Sequence, residues 1–269
     1  MFRRIAAGTV AAASLSLSLT GCLGGAEKKA VDNIKLTAAQ VLGKSAQKSA
    51  TVDTFTMDLT MDGPTKMNMK VESRLRPSLA ARMIVSNGGA QVMEMRIVDK
   101  AMYMKSAFMK PKNGKAWGRI SADAMSAASG RNMNQMFDQA QQQGPAEQTK
   151  MFTASKNVRE VGPETVEGVP TRHFTGTLTA EEMLSKFTDP QARAAKEKQL
   201  AAAGITSANF DLWVGADELP RKITLVQGTK QGQMTMSGFY RDYNKPVDVQ
   251  APPASEVGDV ELPRIPTGA

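Results

Sequence analysis

The chain contains a single cysteine, Cys22, and the residues before it favour acylation of its thiol. Cys22 ends the run Leu19-Thr20-Gly21-Cys22, which follows Arg3-Arg4 and the apolar segment Ile5–Leu19. This segment of about 15 residues fits the central region of a signal peptide and is shorter than the roughly 20 residues that span a membrane. We therefore predict a lipoprotein signal peptide over residues 1–21, cleavage before Cys22 and a membrane anchor of acyl chains on its thiol. The alternative is an ordinary secretory signal that ends in a cysteine by chance.

Groups suited to catalysis are sparse. The single histidine, His173, lies in a predicted strand between Arg172 and Phe174, and no Gly-x-Ser-x-Gly elbow accompanies it. The sequence has no zinc-ligand spacing, no dinucleotide fingerprint and no glycine-rich phosphate loop. Its carboxylates form no convincing acid–base pair. We predict no enzymatic activity and no cofactor, and we interpret His173 as structural.

Methionine is frequent, with 18 residues in the chain. Four pairs with one intervening residue would each place two thioethers on the same face of a strand: Met67 and Met69, Met93 and Met95, Met102 and Met104, and Met234 and Met236. Soft sulfur ligands select Cu(I), so an extracytoplasmic copper protein is one interpretation. Supporting histidine and free cysteine ligands are missing, and methionines on a sheet are expected to be buried. We therefore predict no metal and an apolar role for these side chains.

The net charge of +8 and the lone cysteine limit the partners and the means of stabilisation. An exported chain does not meet nucleic acid, so the basic charge favours anionic lipid head groups or cell-wall polymers. The alternative is a solvated, lysine-rich surface. One cysteine cannot form an internal disulfide, so a packed core must stabilise the protein.

Composition along the chain predicts one domain with two extensions. The small and charged residues 22–33 predict a flexible tether, residues 34–250 carry the periodic patterns of a folded domain, and residues 251–269 form a Pro-rich C-terminal tail. The first periodic stretch, Ile34–Ser49, has helical spacing, and Thr37 is suited to cap its N-terminus.

Apolar and polar residues alternate from Phe55 onward, which predicts antiparallel strands with one apolar face. Turn residues at Gly63-Pro64 and Asn87-Gly88-Gly89 separate the early strands, of which we predict five up to Lys105. Further strands are predicted within residues 157–178, 208–215, 221–228 and 233–243, with Gly168 supplying a positive φ in a hairpin turn.

Two helical stretches would cover the apolar face. The first, Ala122–Gln143, is predicted to end at Gly144-Pro145, and the second, Ala180–Ala203, to break at Pro190. The segments Lys110–Gly118 and Gln139–Gln148 are candidates for movement during release of a ligand.

Together these elements predict an α+β fold: a strongly curved antiparallel β-sheet, or half-barrel, with helices packed on its concave face around an apolar cavity. An unbranched thioether adapts its shape, so a methionine-rich face would conform to varied acyl chains. The alternative is an ordinary core filled with methionine. The predicted cavity wall consists of Phe55, Met57, Leu59, Met61, Met67, Met69, Met83, Met93, Met95, Met102 and Met104 on the sheet, with Met136 and Phe137 on a helix.

Four segments resemble the LppX/LprG family of actinobacterial lipoproteins: Val166–Phe174, Asp211–Lys222, Tyr240–Val247 and Ala251–Pro253. The resemblance covers roughly residues 34–253, and more distantly the chain is similar to the periplasmic lipoprotein carrier LolA. These segments are signatures of a fold and contain no catalytic motif. The resemblance implies a half-barrel whose apolar cavity holds acyl chains of lipids or lipoproteins.

The expected function is therefore that of a lipid-anchored protein on the outer face of the cytoplasmic membrane. It would bind acyl chains of a lipid, glycolipid or lipoprotein and transfer them, with a membrane transporter or an acceptor protein as a further partner. The alternative is a non-enzymatic envelope sensor or assembly lipoprotein that acts through protein–protein contacts. A continuous cavity along the methionine face would favour the first function, and a filled core the second.

Overall fold

The computed structural model describes residues 36–107, 111, 114–129 and 132–260. The predicted signal peptide, Cys22, the tether and the end of the tail lie outside these residues, as does part of the Lys110–Gly118 segment. Within the described chain no helix is both long enough and apolar enough to cross a membrane.

Twelve strands of the described residues form one open sheet in the order β12-β6-β5-β4-β3-β2-β1-β11-β10-β9-β8-β7. The pairing of β12 with β6 is parallel, and every other pairing is antiparallel. The strands are β1 Thr54–Asp62, β2 Met67–Arg74, β3 Ala80–Asn87, β4 Ala90–Val98, β5 Ala101–Ser106, β6 Trp117–Ser121, β7 Arg159–Val166, β8 Val169–Thr179, β9 Ser207–Gly215, β10 Pro220–Thr229, β11 Gly232–Arg241 and β12 Val257–Asp259. The predicted α+β class with a large, curved antiparallel sheet is confirmed.

Five α-helices accompany the sheet in the described residues: α1 Ala38–Ser49, α2 Ala122–Ser129, α3 Met133–Phe152, α4 Ala180–Leu184 and α5 Pro190–Ala203. The predicted cap of α1 is confirmed, because the Thr37 hydroxyl accepts a hydrogen bond from the Gln40 amide at 3.3 Å. The predicted break at Pro190 is also confirmed, since Pro190 begins α5 and Asp189 caps it.

One predicted helix had the wrong bounds, and one strand was missed. Strand β6 was not predicted at all, because only five residues carry its pattern. The helix predicted over Ala122–Gln143 is two helices, and α3 continues through Pro145 to Phe152. Ala146 and Phe152 are buried beyond the proline, so tertiary packing offsets the cost of proline inside the helix.

Two buried clusters attach helices to the same face of the sheet. The larger cluster joins α1, α3, α4 and α5 to strands β8 to β11 and to β1, and includes Leu42, Phe152, Phe174, Phe210 and Leu212. The smaller cluster joins α2 and the start of α3 to β6 through Ile120, Ala122, Met125 and Phe137. Strands β2 to β5 lie between the two attachments in the order of the sheet.

The segment after β11 crosses to the other side of the sheet. Val249 packs with Ala80 and Val98 in a third cluster, and the Arg96 guanidinium donates to the Gln250 carbonyl at 3.1 Å. Strand β12 then pairs with β6. Residues 257–259, within the predicted tail, therefore extend the sheet.

Candidate functional site

The strand register places all eleven sheet residues of the predicted wall on one face. Met57 lies opposite Val71, Val71 opposite Met83, Met83 opposite Met95, and Met95 opposite Met104. Because residues two apart on a strand share a face, the remaining predicted strand residues fall on this face as well. The same face carries Phe174, Phe210 and Leu212 of the larger cluster.

Seven methionines of the predicted wall belong to neither of the two clusters that hold the helices on this face. Met57 is buried in the larger cluster, Phe55 and Leu59 pack against it, and Met102 packs against the smaller one. The others are half-buried: Met61, Met67, Met69, Met83, Met93, Met95 and Met104. We call these seven residues the methionine surface. It is an apolar strip that spans β1 to β5 and that the two helical attachments leave only partly covered.

The two predicted helical wall residues lie in different surroundings. Phe137 is buried in the smaller cluster, whereas Met136 is 42% exposed. Neighbouring residues of a helix point about 100° apart, so both cannot face the sheet. The structure brings Phe137 to the sheet and does not bring Met136 there.

Two cavities lie on the helical side of the sheet, and neither is lined by the methionine surface. Neither is therefore the continuous cavity along the methionine face that would favour acyl-chain binding. A cavity of about 190 Å³ lies between Leu79, Ile97 and Phe137, and the ion pair of Lys100 with Asp138, 2.8 Å long, stands at its edge. Ile97 shares the methionine face and lies opposite Met102, so this cavity adjoins one end of the face. Sequence reasoning missed the cavity, because its lining comes from three separate segments.

The second cavity, of about 550 Å³, lies between α3 and the corner that joins α4 to α5. Met151, Met183 and Phe187 give it apolar walls, and Glu147, Lys186 and Asp189 give it a charged rim. Tyr240 is buried nearby and donates its hydroxyl to Gln148, which lines this cavity. Burial raises the pKa of the Tyr240 hydroxyl, so this group stays a hydrogen-bond donor.

The opposite face of the sheet carries the polar groups. His173 directs Nδ1 to Glu164 at 2.7 Å and Nε2 to Asp211 at 2.8 Å, and its ring stacks on Trp213. The Trp213 indole N–H donates to the other Glu164 oxygen at 2.7 Å. These hydrogen bonds, from Trp213 and then from His173, lower the pKa of Glu164. All of these hydrogen bonds cross between strands, so the group ties β7, β8 and β9 together by side-chain contacts.

Glu94 is a second charged centre on the polar face. Its carboxylate is buried and accepts hydrogen bonds from Arg82 at 2.8 Å and Arg96 at 3.0 Å. Burial alone raises the pKa of this carboxyl, but the hydrogen bonds from the two guanidinium groups outweigh burial and lower it. Among the described residues no group of three or more histidine, cysteine, aspartate or glutamate residues is arranged to hold a metal.

Comparison with known proteins supports the fold. No family model matches the chain. An uncharacterised 31.2 kDa protein of Streptomyces griseus is 34% identical over 158 residues, which cover 58% of this chain and 52% of that protein. A Streptomyces coelicolor protein named "Putative lipoprotein" is 25% identical over 173 residues, or 64% of this chain and 52% of that protein. The chain thus spans about half the length of the curated relatives it matches.

The crystal structure of the Mycobacterium tuberculosis lipoprotein LppX superposes with a TM-score of 0.52 at 14% sequence identity. The match covers 79% of this chain and 98% of LppX. The chain has the LppX fold. The resemblance predicted from the sequence is therefore confirmed at the level of the fold.

Within the LppX fold of this chain, the face that carries the methionine surface is the one on which all five helices lie. In the part of the chain that the structure describes, this face has an apolar strip that lies between the two groups of packed helices. The polar face is crossed instead by the C-terminal segment and closed by ion pairs such as that of Arg82 with Glu94. A ligand site for apolar groups therefore has its place on the methionine face.

Proposed function

We propose that this protein is an extracytoplasmic lipoprotein, anchored through Cys22 to the outer face of the cytoplasmic membrane, that binds acyl chains along the methionine surface. Its ligand is a lipid, a glycolipid or an acylated protein, which it passes to a nearby membrane transporter or acceptor protein. The signal sequence predicted before Cys22, the name of the Streptomyces coelicolor relative and the LppX fold support this proposal.

One observation carries the proposal: seven half-buried methionines form a continuous apolar strip between two packed clusters. A fully packed core would bury these side chains, and a solvated face would not be built from them. Thioether side chains adapt to irregular apolar shapes, which suits acyl chains of different length and saturation. An acyl chain on the strip would complete the burial of these side chains.

Burial of an acyl chain does not by itself move it out of a membrane. A chain of about 16 methylenes gains more than 10 kcal/mol on leaving water, but a bilayer offers nearly the same gain. Uptake is therefore an exchange between two apolar sites, and selectivity depends on shape and on contacts to the head group. The charged residues at the rims of the two cavities, such as Lys100 and Lys186, are placed for such contacts.

Native mass spectrometry tests the proposal directly. Protein that starts at Gly24 is produced in a bacterial host, purified without detergent, and its bound lipids are extracted and identified. Stoichiometric bound lipid supports an acyl-chain carrier and names the ligand class. Protein that arrives empty and takes up no added phospholipid or fatty acid contradicts the proposal and favours the envelope sensor or assembly function.

A further inference from the structure

Methionines stand side by side across the sheet in two places. Met83, Met95 and Met104 occupy directly opposite positions on β3, β4 and β5. We call them the first triad. On the other side of the same face, Met67, Met61 and Met236 are opposite one another on β2, β1 and β11, and form the second triad. Each triad therefore joins three adjacent strands in one row.

Cross-strand neighbours are closer than the pairs visible along the sequence. Directly opposite residues of antiparallel strands have Cβ atoms about 4.5 to 5.5 Å apart, whereas residues two apart on one strand are separated by about 6.6 Å. The central residues of the triads, Met95 and Met61, have a methionine on both sides at the shorter spacing. A thioether extends from Cβ through rotatable bonds, so three sulfur atoms of one row can reach a common point.

The surroundings of the triads are mainly apolar and allow their side chains to rearrange. All six methionines are half-buried. The neighbours of the first triad on this face include Val71, Val85 and Ile97, which are apolar. The charged residues of these strands, among them Glu94 and Arg82, lie on the opposite face and are paired with each other. Beside the second triad, the same face carries Leu59, Met69 and Leu225. The soft ligands nearest an ion in each triad are thus neutral thioethers.

Three neutral thioether sulfurs form a soft donor set. Such ligands suit Cu(I), and they do not suit Mg²⁺ or Ca²⁺, which require oxygen. We propose that each triad binds one Cu(I) ion through its three thioether sulfurs. The ion arrives and leaves in the same oxidation state, so binding needs no electron or proton transfer. The sequence predicted no metal site, and this proposal departs from that prediction. It does not depend on the proposed binding of acyl chains.

Competition with a chromophoric Cu(I) chelator under anaerobic conditions measures the binding. The full chain carries Cys22→Ser, since a free thiol would bind Cu(I) on its own. We expect two Cu(I) ions per chain, one ion after Met83→Leu, Met95→Leu and Met104→Leu together, and one ion after Met61→Leu, Met67→Leu and Met236→Leu together. Leucine keeps each position apolar and of similar volume, so the fold is retained.

A matched control separates the triads from a general effect of methionine content. The triple variant Met69→Leu, Met93→Leu and Met102→Leu removes three thioethers from the same face and leaves both triads complete. It should still bind two ions. A Cys22→Ser chain with all of its methionines that does not compete with the chelator, or a control variant that loses as many ions as a triad variant, would overturn the assignment.

Two further readouts keep the proposal testable if a triple variant fails to fold. The single substitutions Met95→Leu and Met61→Leu remove the central sulfur of each triad and should weaken one ion each by at least tenfold. Binding should also be unchanged between about pH 5 and about pH 8, because thioethers do not exchange protons; affinity that rises with pH would indicate other ligands and overturn the proposal. Lipid binding is measured separately on the chain that keeps all of its methionines, so the two proposals can fail separately.

Discussion

His173 stacks on Trp213 with ring centroids 4.2 Å apart, and both side chains bind the same carboxylate, that of Glu164. His173 belongs to β8, Trp213 to β9 and Glu164 to β7, the last strand of the sheet. The group therefore holds the edge strand to its two neighbours by side-chain contacts as well as by the backbone ladder. It is a structural device at the edge of the sheet, on the face away from the methionine surface.

Trp213→Phe should lower the free energy of unfolding by about 1 kcal/mol, because the ring remains for stacking while the N–H donor to Glu164 is lost. Denaturant unfolding followed by circular dichroism measures the change. A double-mutant cycle with Glu164→Gln isolates the contact: the effect of Trp213→Phe should shrink in the Glu164→Gln background. Equal effects in both backgrounds would show that the hydrogen bond does not stabilise the fold.

Glu94 should increase the free energy of unfolding at neutral pH, and this contribution should be lost in acid. Its folded pKa lies below its ordinary value of 4.5, so its contribution is fully present above that value and is lost as the pH falls through the folded pKa. Glu94→Gln should therefore lower the free energy of unfolding at pH 7 by about 1 to 3 kcal/mol, with a smaller difference from the unmodified chain at about pH 3. Unfolding curves at the two pH values test this.

Glu72→Gln is the matched control for Glu94→Gln. Glu72 also faces Arg82, but at 3.7 Å and with its side chain 25% exposed, against 8% for Glu94. Its effect at pH 7 should be less than about 1 kcal/mol, as for other solvent-screened ion pairs. Equal losses for the two variants would contradict the role of burial.

Two glycines should respond in opposite directions to replacement by alanine. Gly43 lies inside α1 with no atom within 4 Å of an added Cβ, so Gly43→Ala should stabilise the protein by about 0.5 to 1 kcal/mol. At Gly176 an added Cβ would stand 2.7 Å from the Phe210 ring, so Gly176→Ala should cost about 1 to 3 kcal/mol. Thermal melting of both variants measures the difference. A destabilised Gly43→Ala variant would show that α1 packs more closely than described.

The alternation from Phe55 to Met61 was sufficient to predict which residues share a face, because a strand has a period of two residues and β1 is long. The same rule could not show which strands are neighbours. Pairing of β1 with β11 joins residues about 180 positions apart, so the second triad and its contact between Met61 and Met236 were invisible in the sequence.

Local signals also failed where tertiary packing decides. Pro145 favours the end of a helix, yet burial of Phe152 keeps α3 helical beyond it. The partners of His173, Glu164 and Asp211, lie 9 and 38 residues away and have no spacing that would indicate them. The two cavities were not predicted for the same reason, because each is lined by segments that are distant in the sequence and meet only in the fold.

Lysine on the methionine surface should abolish lipid binding. The quadruple variant places four ammonium groups on the strip, through Met67→Lys, Met69→Lys, Met93→Lys and Met95→Lys. An acyl chain bound there would desolvate these charges, which costs free energy. We expect at least a tenfold fall in lipid that copurifies with the protein, measured by native mass spectrometry. Circular dichroism must show that the variant is folded, and retained lipid in a folded variant would rule out this wall.

The opposite face supplies the control for the lysine variant. The control positions lie on the polar face of the sheet, one on each of four strands: Thr60 on β1, Asn68 on β2, Ser86 on β3 and Thr235 on β11. Four lysines at these positions add the same charge to the protein without touching the methionine surface. This variant should keep its lipid, because the acyl chain responds to charge in its own site and not to the net charge of the chain. Loss of lipid in both variants would mean that binding depends on overall charge, and the methionine surface would no longer explain it.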